Sequence, residues 1–218
     1  MTENLIDPSK FARLISEAAK SLKKLSEELK QEGYIFLDYK SVLLKNGWFI
    51  PYEIKVKDVM QLAFQFENNQ SDQAHIFLIK YFRKKIKTIQ AVLIEKYPER
   101  KEILNEAFKA HQKKMFHSST ILFLSQADGI TDNRIFIGRK FKKFTQRERS
   151  HPLVKLFDSE NPLTSSFYKN KKDIDPEESL NRHGIVHGHI LEYGSELNSL
   201  RALSLLYFVS NFRNAITK

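Results

Sequence analysis

Residues 195–218 constrain the fold more than any other stretch. Leu197, Leu200, Leu203, Leu206 and Tyr207 recur at helical spacing, and Leu205, Phe208, Val209 and Phe212 carry the apolar surface around the sides. A helix that meets a core with one face keeps polar residues on the other, whereas this one is apolar nearly all round in its middle. It needs cover on more than one side, and we expect a dimer interface to use the surplus.

The remaining periodicity is also helical. Asp7-Pro8-Ser9 opens a helix over Pro8–Glu32, with Phe11, Leu14, Ile15, Ala18, Leu22, Leu25 and Leu29 on one face and Gly33 as its stop. Tyr34–Leu44 reads as a second helix, broken by Asn46-Gly47-Trp48-Phe49-Ile50-Pro51. That turn holds the single tryptophan, which we read as a packed anchor ahead of a base-stacking platform. Lys57–Glu67 and Gln73–Tyr97 follow, separated by the polar stretch Asn68–Asp72, and Pro98 opens a further helix through Met115. Within the longest of these, Lys80–Lys87 has five basic residues and no acidic one, which suits either a phosphate-contacting face or a solvated one. Ser118–Ile130 is apolar enough for a buried bundle helix. The expected fold is therefore an all-α helical bundle. Residues 1–115 form an N-terminal helical region, separate or part of the same domain, and residues 116–218 form the C-terminal helical domain.

Composition narrows the partners. The chain has 36 Lys+Arg against 26 Asp+Glu, a formal charge of +10, which favours a polyanion or an acidic regulatory protein. Seventeen phenylalanines against one tryptophan predict a Phe-rich interior. With no cysteine there is neither a disulfide framework nor a thiolate metal site. No charged-then-apolar leader and no run of about 18 apolar residues is found, so we expect a cytoplasmic protein with no membrane span.

The chemistry concentrates in Ser179–Gly194, which holds His183, His187 and His189, three of the seven histidines. Histidine both takes and gives a proton near neutral pH. Arg182 beside it offers a planar fork of donors suited to phosphate. On a helix, His183 and His187 share a face. Gly184 and Gly188 would each weaken that helix by roughly 1 kcal/mol relative to alanine, which points to close approach by another backbone or a ligand. Asp128 offers a carboxylate to this site, although a solubilising residue at a helix end is the weightier reading. A zinc site of His183, His187, His189 and Glu192 is a further alternative, disfavoured by the adjacent Arg182 cation.

Arg182-His183-Gly184-Ile185-Val186-His187 resembles the Arg-x4-6-His signature of HEPN domains. The wider string Leu180–Gly188, with Tyr193-Gly194, Asn198-Ser199 and upstream Leu124–Ile130, resembles bacterial HEPN-like proteins, over roughly Phe116 to Phe212. The resemblance implies an up-down helical bundle, commonly a homodimer with the motifs of two copies facing each other. It implies a metal-independent ribonuclease of toxin–antitoxin or phage-defence type, needing no cofactor. A relative that holds RNA or a nucleotide without cutting is the alternative. Carried over, His187 is the proton-transfer residue, Arg182 the phosphate stabiliser and His183 the variable polar residue that orients them.

RNA is the expected partner, contacted by Asn181 and by the stretch Arg134–Arg149. That stretch has seven basic residues and one acidic, with Phe136, Phe141 and Phe144 interleaved. Arg139, Lys140, Lys142, Lys143 and Arg147 would hold phosphates while the rings stack bases. Residues 151–176 read as loop with short helical turns, and Pro176-Glu-Glu as the opening of the motif helix.

Overall fold

The computed structural model describes residues 20, 23, 39–51, 53–131 and 180–216, with side chains as far as Asn211. The expected Pro8–Glu32 helix is represented only by residues 20 and 23, both helical. The basic stretch Arg134–Arg149, the loop 151–176 and the Pro176 helix start lie outside the described residues. The chain divides into two compact units, Met1–Asp38 and Tyr39–Lys218. Residue 115 marks no boundary within the second unit, because helices on either side of it pack together.

Every regular element among the described residues is a helix: α1 (residues 39–45), α2 (Val56–Glu67), α3 (Ser71–Lys96), α4 (Lys101–Gln112), α5 (Phe116–Ile130), α6 (Arg182–Val186) and α7 (Glu196–Ile216). The fold is the all-α bundle that the 3.6-residue period implies. No described helix is long and apolar enough to cross a membrane. The expected single helix from Pro98 to Met115 is two pieces. A 3-10 turn over Pro98–Arg100 leads into α4, which stops at Gln112.

Four helix ends share one device. The residue after the cap adopts the left-handed conformation, at Gly47, Asn69, Lys114 and Gly188. At Gly47, Lys114 and Gly188 two successive amides then reach back to carbonyls of the last turn, as Gly47 N to Leu44 O and Trp48 N to Leu43 O, at 2.8 and 2.9 Å. Glycine or asparagine tolerates that backbone; lysine does so only at a cost.

The core is centred on α7, which packs mainly on α5 and also on α3, while α4 packs on α5 and α2 on α3. All thirteen residues from Asn198 to Ser210 are buried. From Asn198 to Ser210 the apolar surplus of this helix is covered within the chain. Part of the cover is the turn after α1. Trp48, Phe49, Ile50 and Ile54 are buried, and Phe49 N donates to Ser204 Oγ at 3.1 Å. Trp48 is the anchor expected. Its ring stacks on Phe82 and its Nε1 donates to His75 Nδ1 at 3.0 Å. The interior is rich in phenylalanine, with Phe108 edge-on to Phe123 and Phe49 tilted against Phe208.

Polar groups inside α7 are engaged. Arg201, only 1 % exposed, donates to Asn198 Oδ1 at 3.2 Å, and Ser204 and Ser210 return their hydroxyls to carbonyls three residues back. Tyr207 reaches Glu53 at 2.8 Å, and the Tyr97 hydroxyl donates to Ser210 O.

Candidate functional site

The histidine-rich segment is built by a short helix with well-defined ends. Asn181 is the N-cap of α6, and its Oδ1 accepts from Gly184 N at 2.7 Å, satisfying one of the free amides of the first turn. Asn181 is fully buried, so the RNA contact expected of it gives way to this capping role. Gly188, at φ +70°, ends the helix: Gly188 N reaches Ile185 O and His189 N reaches Gly184 O, at 3.1 and 2.8 Å. Its glycine serves that backbone conformation, and a Cβ there would meet nothing within 4 Å. The close approach expected at Gly188 is therefore absent among the described residues. It occurs instead at Gly194, where a Cβ would run into the His117 ring.

That contact holds the segment beyond the cluster in place. The His117 imidazole packs edge-on against Tyr193 and its Nε2 lies 3.2 Å from Leu191 O. Residues 191–194 are thereby strapped to the first turn of α5. At the far end of α5, Asp128 Oδ2 accepts from Arg182 Nη2 at 2.9 Å. The two side chains are 9 % and 22 % exposed, which puts the pair in partial shelter where it is less screened than a surface ion pair. Asp128 is thus part of the site and not a solubilising helix-end residue.

The structure brings Arg182, His183 and His187 together. The His183 and His187 rings lie 4.5 Å apart, as residues four apart on one turn should. His183 is held below its ordinary pKa, first by burial and then by His187, Arg182 and His189, which favours its neutral form. His187 and His189 are exposed, with ring centroids 6.5 Å apart. Beside them, Val186 and Leu191 are exposed at 47 % and 72 %.

The assembly offers a guanidinium oriented by a carboxylate, an exposed imidazole able to exchange protons, and a neutral imidazole behind it. Among the described residues, no three His, Asp or Glu side chains converge as a metal's ligand set. Arg139, Lys140, Lys142, Lys143 and Arg147, expected to hold RNA, lie outside the described residues. Sequence reasoning weighted Asp128 too lightly and missed His117, whose only signal was its place just before the buried run of α5. The chain matches no family model, no curated protein and no solved structure.

Proposed function

We propose that the Arg182 cluster is the centre of a metal-independent endoribonuclease of HEPN type, acting in a toxin or phage-defence role. The observation that carries this reading is the exposed His187 ring tilted against His183, 4.5 Å between centroids, in a segment whose Arg182 guanidinium is held by Asp128. His187 would accept the proton of a ribose 2′-hydroxyl as its oxygen attacks the adjacent phosphorus. The P–O5′ bond breaks as the 5′-oxygen takes a proton from the His187 imidazole or from that of a second copy, and the product ends in a 2′,3′-cyclic phosphate. Arg182 would balance the charge that grows on the phosphorane oxygens, where a preoriented donor counts most.

In this reading two copies face one another across their motifs. Val186 and Leu191, exposed on either side of His187 and His189, support that surface for the homodimer in preference to the buried α7. The test is RNA cleavage in EDTA by wild type, Arg182→Ala and His187→Ala. Cutting by wild type alone, with cyclic-phosphate ends, is expected; equal cutting of DNA would sink the 2′-hydroxyl mechanism. Leu191→Glu should shift the dimer to monomer in light scattering and lower cleavage at least tenfold.

A second reading is a module that holds RNA without cutting it. It is favoured by the Arg182–Asp128 pair, which already partly neutralises the guanidinium. Filter binding that is lost in Arg182→Ala, with no cleavage of any RNA by wild type, would select it.

A further inference from the structure

A second concave site lies at the other end of α5. Phe116 and Asp128 are twelve residues apart on that helix, or roughly 18 Å at the α-helical rise. The cavity has a volume of about 440 Å³ and is lined by Arg83, His111, Gln112, Lys114, Phe116 and Glu196. That size falls within the range of small-molecule pockets. Its formal charge is +1, from Arg83 and Lys114 against Glu196 with a neutral His111.

Three features distinguish it from an incidental cleft. First, Lys114 sits at φ +59°, at the helix-end position filled elsewhere by Gly47, Gly188 and Asn69. Its amide and that of Met115 close the turn onto His111 O and Ala110 O, at 3.0 and 2.9 Å. Glycine would satisfy this backbone without strain, so the lysine is kept at a conformational cost, and its side chain lines the cavity.

Second, Arg83 holds the Glu196 carboxylate through two nitrogens, and the pair is partly exposed at the cavity wall. A fork engaged by a carboxylate is the geometry that also receives a ligand's oxyanion.

Third, the floor is a wired imidazole. Ser119 Oγ donates to Phe116 O and lies 2.6 Å from Ser199 Oγ, which in turn is 2.8 Å from His111 Nδ1. Ser199 Oγ thus links the Ser119 hydroxyl to the His111 ring, which leaves Nε2 with no hydrogen-bond partner among the described residues. Both serines are fully buried, which removes them as nucleophiles.

We propose that this pocket binds a small organic oxyanion. Its anionic head takes the place of the Glu196 carboxylate on Arg83 and Lys114, and its body lies against Phe116 and the His111 ring. Glu196 is then an internal competitor that occupies the site when the ligand is away.

The experiment is calorimetric titration of the full chain with phenyl phosphate and with benzoate, using benzamide as the neutral control. Saturable binding of one anion and not of benzamide is expected, and whichever binds more tightly tells phosphate from carboxylate. Glu196→Gln removes the competitor and should tighten binding several-fold. Lys114→Gly should weaken it roughly tenfold, the scale of one charge-assisted contact, while raising the melting temperature. This opposite movement of stability and affinity is what a purely structural lysine would not give. No saturable binding to wild type or to Glu196→Gln at concentrations up to about 10 mM would overturn the proposal, as would equal affinity in Lys114→Gly.

Discussion

At the scale of single residues, the candidate site depends on a few side chains whose roles are separable. Asp128→Asn removes the charge that orients Arg182 and leaves a half-sheltered guanidinium facing an amide. It should destabilise the fold by about 1–3 kcal/mol, read from urea midpoints, and lower cleavage or RNA binding along with it. Gly188→Ala tests the opposite case. It strains a left-handed backbone without losing any contact, so it should cost about 1 kcal/mol and leave the imidazoles in place. Some of this is legible in the sequence: spacing alone places His183 and His187 on one helix face, with Arg182 to one side. Asn181 as a cap and Gly188 as a stop also have signals, since asparagine and glycine bracket the helix as Asn46-Gly47 closes α1. The Asp128 pairing is legible only as the lesser of two readings, because its partner lies 54 positions away and only tertiary packing brings the two together.

At the scale of elements, α7 organises the unit and its neighbours dress it. Leu203→Ala, at a fully buried position, should cost about 2–5 kcal/mol, whereas Phe64→Ala on the exposed side of α2 should stay within roughly 0.5 kcal/mol. Denaturant midpoints of the two variants against wild type check both. The helix boundaries from Lys57 to Ile130 are readable to within a few residues, because apolar spacing reports a buried face directly. The break at Lys113–Met115 is read late, at Met115, since no glycine or proline marks it and a lysine adopts the left-handed turn. The pattern cannot tell who covers α7. An all-round apolar helix looks the same in sequence whether its cover comes from α3, α5 and the Trp48 turn or from a second copy.

At the scale of the folded unit 39–218, partly buried histidines tie stability to pH. His75 is pushed down to about 4, by burial first and by Arg201 next, with Asp72 opposing. Trp48 donates to its Nδ1, so protonating that nitrogen would break the bond. The unfolded chain takes up this proton near pH 6.5 and the folded one only near pH 4. The stabilisation is therefore complete above about pH 6.5 and is lost as pH falls toward 4, by on the order of 2 kcal/mol. His111 and His183, also lowered, act in the same direction. Urea midpoints at pH 7.5 and 4.5 should differ accordingly, and His75→Gln, which keeps an acceptor for Trp48 and does not titrate, should narrow the gap. The order in which the chain is made adds a last consequence. α7 leaves the ribosome after α1–α6, so until it emerges α3 and α5 lack the helix they pack against. The nascent chain carries those surfaces open through the synthesis of everything between α3 and α7, and a holding chaperone would find its longest window on this protein in that interval.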